Sequence, residues 1–346
     1  GPRLSRLAVS LLVAFGTLPA HALDPNALPA GGQVAAGAAV ISRSGNRMDV
    51  NQASERAILN WSSFNIGANA LVNFAQPAAS SVALNRVVTS AGASEIQGRL
   101  SANGQVFLLN PNGVLFGKTA QVDVGGLVAS TLDLADANFL AGRYVVTNGG
   151  AAGSIVNQGV LNAAQGGYIA LLAPEVRNEG VIAARLGSVA LAAGDQVTLD
   201  FAGDRLVSLA VDKSALNALV ENRHLIQADG GSVILAARSA GDLAATVVNN
   251  AGLIQAVGVS ERNGVIRLEG GERGVVAVSG MLDASGRNSG ETGGTVKVLG
   301  DKVGLLAGAK LDVSGDAGGG AVLVGGEFQG KNPDVQNAFR TYVGPD

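Results

Sequence analysis

Beyond about residue 155 the chain is built from short alternations of apolar and polar positions that return on a schedule. Residues 156–163 (VNQGVLNA) precede 166–174 (GGYIALLAP), and 176–184 (VRNEGVIAA) precede 187–195 (GSVALAAGD). The pattern returns at 222–228 (NRHLIQA) with 231–236 (GSVILA), and at 249–256 (NNAGLIQA) with 264–268 (GVIRL). It recurs again at 278–284 (VSGMLDA) and 307–313 (AGAKLDV). Gly159 and Gly180 mark one slot 21 residues apart, and His224, Gly252, Gly280 and Gly308 mark it at intervals of 28. A fixed period of this size is the signature of a stacked solenoid. Period-2 alternation broken by Gly, Asn and Asp turns makes each copy a set of two or three short strands. The fold class expected is all-β, a right-handed parallel β-helix whose coils stack about 4.8 Å apart. Ile182, Leu191, Ile226, Ile234, Ile254 and Leu268 are the expected inward residues. Asn157, Asn178, Asn222 and Asn250 share one corner, where stacked amides are expected to bond along the axis.

The period breaks between residues 199 and 221. There, 198–209 (TLDFAGDRLVSL) reads as strand, turn, strand, and 212–220 (DKSALNALV) as a short helix. A second short helix is expected over Asp133–Leu140, with Asp133 or Asp136 near its start. Before residue 150 longer connections blur the repeat, so residues 23–150 are read as a capped N-terminal part, with strands in 23–50 covering the open edge of the first coil. Residues 151–346 are read as coils with the 199–221 insertion, continuing past residue 346.

Composition narrows the picture. The chain has 50 Gly in 346 residues, 47% hydrophobic residues, 4% aromatics and 15% charged residues. That balance disfavours both disorder and a helical bundle. A net charge of −3 offers no nucleic-acid surface. Without cysteines there is neither a disulfide framework nor thiolate chemistry. Arg3 and Arg6, the apolar run Leu7–Leu18 and Ala20-His21-Ala22 read as an export signal over residues 1–22, truncated at its start, with cleavage expected near Leu23.

No constellation of catalytic residues is legible. Asp195, Asp204, Asp229, Asp283, Asp301, Asp312 and Asp316 sit mostly in turns, and the pairs Asp312/Asp316 and Asp200/Asp204 read as turn residues beside Gly. His21 and His224 cannot form a triad or a metal site, so no metal, cofactor or enzymatic activity is expected. Asn60-Trp61-Ser62 has the form of a glycosylation triplet, with Trp61 expected in the core.

One stretch stands apart, Gln105–Gly117 (QVFLLNPNGVLFG), in which two apolar runs flank Asn110-Pro111-Asn112-Gly113. Pro111 fixes φ, Asn112 bonds nearby backbone and Gly113 accepts positive φ, so the tetrapeptide is a tight turn between strands. This stretch resembles the NPNG signature of the two-partner secretion domain found at the N-terminus of filamentous-haemagglutinin-like and high-molecular-weight adhesin exoproteins. Residues 50–54 (VNQAS), 58–67 (ILNWSSFNIG), 82–87 (VALNRV) and 124–131 (VGGLVAST) resemble the same domain in the same order, over roughly residues 30 to 145. Residues 325–337 resemble a segment that follows this domain in large adhesins.

The resemblance implies a secretion domain of an exported adhesin. It would be recognised by a dedicated outer-membrane pore protein with periplasmic recognition domains, and would nucleate β-helix folding at the surface of a Gram-negative cell. Asn110, Pro111, Asn112 and Gly113 are the implied recognition motif, with Asn65 and Gly67 as further candidates. Two alternatives stay open: the fragment is itself a carbohydrate- or receptor-binding surface, or it is a β-helix polysaccharide-degrading enzyme. A host receptor or polysaccharide would otherwise be bound by regions beyond residue 346.

Overall fold

A computed structural model describes residues 22–89, 92–150, 153–202, 205–240, 246–260 and 262–345. The expected signal segment, apart from Ala22, lies outside the described residues. Strands of successive turns pair in parallel, so the chain winds as a β-helix. Among the described residues a 20-stranded sheet wraps two faces of the coils, because Gln121–Ser130 and Val160–Ala173 each run through both, and a nine-stranded sheet forms the third, with three further strands packed outside the coils. Alternation explains the winding. In Leu225-Ile226-Gln227 only the middle side chain enters the coil, and Ile182, Ile226, Ile254, Leu282 and Leu311 stack through consecutive registers. The first four are fully buried.

Pairing corrects one point of the repeat. Leu225, Leu253 and Met281 follow at the expected interval of 28, but Met281 pairs with Lys310, so Ala309 rather than Gly308 stands in the slot of Gly280. The extra residue is absorbed at a turn where Gly308 takes φ +88°, a conformation glycine adopts without steric cost.

The N-terminal edge is closed by antiparallel strands. Gln33–Ala36 runs antiparallel along Arg56–Trp61, and Ala39–Ser44 along Arg47–Gln52, which then pairs in parallel with Leu71–Ala75. Covering the first coil removes an exposed ladder that would pair with another chain.

A second core lies outside the coils. In Gln105–Leu109 and Ser188–Ala193 every residue is buried, as is the run Tyr168–Ala173. Their inward side chains (Val106, Leu108, Ile169, Leu171, Val189, Leu191) join the axial core. Phe107, Leu109, Tyr168, Leu172, Ala190 and Ala192 point the other way into a separate cluster. Its cover is a hairpin, Gln196–Ala202 with Arg205–Lys213, joined by Tyr144–Thr147 and by Phe139 from the helix Asp136–Leu140. Aromatic rings lock the layers: Phe107 lies 5.2 Å from Tyr144, and Phe201 lies 5.1 Å from Tyr144 and 4.6 Å from Tyr168.

Two sequence expectations fail here. Ile234 is buried, but under this outer layer, because Val233 and Leu235 take the inward positions of its strand. Residues 212–220 form no helix. Asp212 and Lys213 complete the hairpin, Ala215 bridges to Ser239, and Leu219–Asn222 enters the ladder against Glu175–Asn178. Ladder hydrogen bonds to neighbouring coils outweigh a helix propensity worth only tenths of a kcal/mol per residue.

Candidate functional site

The turn at residues 110–113 is made by the coils stacked against it. The Gly113 amide donates to the Asn110 carbonyl at 3.0 Å, closing the turn, and Gly113 takes φ +120°. Asn110 is 1% exposed. Its Nδ2 donates to the Gly92 carbonyl and to Ser94 Oγ, both at 3.0 Å, and its Oδ1 accepts from the Asn112 amide at 3.0 Å. Asn112 Nδ2 reaches the Thr89 carbonyl at 3.2 Å. One coil further on, the Gly153 amide donates to the Pro111 carbonyl at 3.2 Å. A Cβ on Gly153 would lie 2.4 Å from the Gly113 nitrogen, so the turn and the next coil touch backbone to backbone. Asn110 and Gly113 are thus internal to the fold, whereas Pro111 and Asn112 are exposed.

Asn65 and Gly67 occupy the same side of the helix, but no contact joins them to the turn. The strand Ser94–Ile96 pairs with Val114–Phe116 on one side, while Ile66 bridges Ile96 on the other. Asn65 Oδ1 accepts from the Glu95 amide at 2.9 Å, fixing that coil against its neighbour. Gly67 holds the start of the described chain: its amide donates to the Ala27 carbonyl, and a Cβ there would meet the Asp24 carbonyl oxygen at 2.2 Å.

Beside the turn lies an open groove of about 380 Å³ that the sequence did not reveal. Pro111 and Asn112 form one wall, Thr131–Asp133 with Gly149 and Gly150 the other, and Arg86–Thr89 and Leu109 the remainder. Arg86 donates to Asp133 at 3.0 Å and to Asp136 at 2.7 Å, and also to the Leu134 carbonyl, fastening the excursion that carries the short helix. The groove needs residues 86–89, 109–112, 131–133 and 149–150 side by side, and only stacking of the coils puts them there.

The four corner asparagines form the expected ladder. Asn157 Nδ2 donates to Asn178 Oδ1 at 2.8 Å, Asn178 to Asn222 at 2.8 Å, and Asn222 to Asn250 at 2.7 Å. All four are fully buried. Register places Phe116 before the ladder and Val278 after it, so the amide stack is enclosed by apolar residues at both ends.

The scattered acids serve turns. Asp312 Oδ1 accepts from the Ser314 amide at 2.9 Å and from Ser314 Oγ at 2.7 Å, bonds that hold its carboxyl below its ordinary pKa. Glu291 is held low chiefly by the Asn288 side-chain amide, with backbone amides adding to it. Asp316 accepts from the Gly290 amide. Among the described residues no group of three or more His, Cys, Asp or Glu is placed to hold a metal ion.

A family model described as "TPS secretion domain" matches residues 26–298. The chain is 34% identical over 276 residues to a heme/hemopexin-binding protein of Haemophilus influenzae, covering 77% of this chain and 30% of that protein. A second heme/hemopexin-binding protein of Haemophilus influenzae is 32% identical over 244 residues, covering 64% of this chain and 26% of its own length. The chain therefore spans less than a third of these relatives. The crystal structure of the HMW1 secretion domain from Haemophilus influenzae matches with a TM-score of 0.82 at 32% identity, covering 91% of this chain and 82% of that one.

Proposed function

The chain belongs to the TPS secretion domain family, and from that premise we propose that it is the part of a large exoprotein that a dedicated outer-membrane transporter recognises and that starts the β-helix. Members of this family are exported across the outer membrane of Gram-negative bacteria. It is a family of secretion domains, not of enzymes. The observation that carries the proposal is the match over residues 26–298 together with the way these coils are built. Strands pair with neighbouring coils, so each coil docks on the one before and no cysteine has to be oxidised. The capped N-terminal coils supply the first template. Folding outside the membrane would then oppose backward slippage of the chain.

Within this reading the turn has divided roles. Asn110 and Gly113 set its shape, while Pro111 and Asn112 present it. Asn112→Ala with Gly113→Val removes the bond to Thr89 and puts a branched side chain where φ is +120°. That strain is worth roughly 1–3 kcal/mol, which a many-coiled solenoid can absorb. The double variant should stay β-rich by circular dichroism while export by the cognate transporter falls sharply. Export at the parental level would defeat a recognition role for the turn, and loss of both fold and export would assign it to folding alone. The relatives' names make haem and hemopexin the first ligands to test on the full-length exoprotein. Titration showing no binding by the full-length protein would end that idea.

A further inference from the structure

We propose that a cavity between the N-terminal coils and the outer layer binds one neutral pyranose ring of a glycan. It holds about 460 Å³, within the range of small-ligand pockets, and stacking creates it. Register sets Arg56, Val82, Gln105, Gly126 and Tyr168 side by side as one outward row across successive strands. Gly126 leaves room for the Tyr168 ring, whose Oη donates to Gln105 Oε1 at 2.7 Å. Arg56, Val82 and Gln105 line the cavity from the coils, and Tyr144 and Phe201 of the outer layer supply the remaining wall.

Its polar groups are fixed in place and unused. Gln105 is 6% exposed, and with its Oε1 held by Tyr168 its Nε2 has no acceptor among the described residues. Tyr144 is 8% exposed, its ring set 5.1 Å from Phe201 and 5.2 Å from Phe107, and among the described residues nothing bonds its hydroxyl. Arg56 is partly buried against Gly142, where a Cβ would lie 3.0 Å from Nη2, and its Nε has no partner. Arg86, Arg177, Arg223 and Arg267 each hold a carboxylate, whereas Arg56 holds none among the described residues. Buried donors without acceptors destabilise a fold, so three around one cavity mark a place where a ligand supplies the acceptors. Glu55 and Ser80 line the same cavity and are exposed. Glu55 Oε2 accepts from Ser81 Oγ at 3.1 Å and forms no pair with Arg56.

These groups select the ligand. Deep donors and outer acceptors suit a ring carrying several hydroxyls, each of which both donates and accepts. Sugar oxygens accept from Gln105 Nε2, the Tyr144 hydroxyl and Arg56, and outer hydroxyls donate to Glu55 and Ser80. The Phe201 ring packs against the C–H face of the pyranose. An anion drawn to Arg56 also meets Glu55, so one acid beside one base favours a neutral sugar. The cavity needs stacked coils and a closed outer layer. Binding therefore follows export and folding, and stands apart from recognition by a transporter.

The purified chain is titrated calorimetrically with the methyl glycosides of β-D-glucose and β-D-galactose, each beside its uronate, and with glycerol as a polyol without a ring. Saturable, millimolar-range binding of at least one neutral glycoside is expected, its uronate at least tenfold weaker and glycerol not saturating. Arg56→Gln removes the charge and Tyr144→Phe only the hydroxyl. They should weaken the better glycoside at least tenfold and severalfold respectively, with thermal midpoints unchanged. Leu216→Glu, at a position 73% exposed and outside the lining, should bind like the parent. If Arg56→Gln unfolds, Tyr144→Phe carries the comparison. No saturation by either neutral glycoside, parental affinity in the groove-lining variants, or glycerol binding as tightly as a glycoside would overturn the site. A uronate that binds more tightly than its neutral counterpart would overturn the assignment to a neutral sugar.

Discussion

Truncation inside the asparagine ladder should cost far more than replacement at its end. Asn178 is the informative position, since it accepts from Asn157 and donates to Asn222, both at 2.8 Å, and is fully buried. In Asn178→Ala the Asn222 Oδ1 loses its ladder donor and Asn157 Nδ2 keeps only a 3.4 Å contact to the Val181 carbonyl. Stranding a buried amide group costs about 1–3 kcal/mol. With two half-satisfied neighbours and a small cavity, Asn178→Ala should lose roughly 2–4 kcal/mol. Asn250 is the contrasting case, because the next coil already carries Val278 in that slot. Asn250→Val shortens the ladder by one rung and strands mainly one donor, Asn222 Nδ2, which still has the His224 carbonyl at 3.4 Å. About 1 kcal/mol is expected. Urea denaturation followed by far-UV circular dichroism, at equal slopes for parent and variants, reads the difference. Equal losses for the two variants, or a loss below about 0.5 kcal/mol for Asn178→Ala, would refute the view that the ladder acts as a connected unit.

Three further outcomes are expected. Ile226→Asp places a carboxylate at a fully buried point of the axial core and should cost several kcal/mol; a melting midpoint within a degree or two of the parent would contradict the coil assignment. Gly126→Ala brings a Cβ to 2.8 Å from the Tyr168 ring, which must shift from Phe201 and from its 2.7 Å bond to Gln105. A loss of roughly 1–3 kcal/mol follows from such overpacking, and unchanged stability would show that the outer layer repacks freely. Asp312 and Glu291 have carboxyls held below their ordinary pKa in the folded chain. The unfolded chain therefore takes up their protons first as pH falls. Their stabilisation is complete above about pH 4–5 and is lost on acidification through the lower folded values. Glu291→Gln should flatten the fall in denaturation midpoint between pH 6 and pH 3, and a profile as steep as the parent's would remove Glu291 from the account.

Much of this protein is written locally. The alternation in Leu225-Ile226-Gln227 and its returns dictate a strand with one buried face, and a constant interval dictates stacking, because a lone coil cannot bury its apolar side. The asparagine corner and the 110–113 turn were legible for the same reason: side-chain type and spacing fix what each residue can bond within a few positions. The outer layer was not legible as a place. The unbroken apolar runs at 105–109 and 168–173 do say that both faces of those strands are buried. What covers them comes from Tyr144–Thr147 and the 196–213 hairpin; the hairpin itself reads locally as strand, turn, strand, but its antiparallel pairing with Tyr144–Thr147, tens of residues earlier, follows from no local pattern. The same distance explains two of the three corrections. Ile234 faces outward because a separate element offers it a second core, and 219–222 is a strand because the ladder of 175–178 reaches it first. The groove beside the turn exists only because four separate segments converge after winding, which is why stacking, and not sequence, decided where it lies.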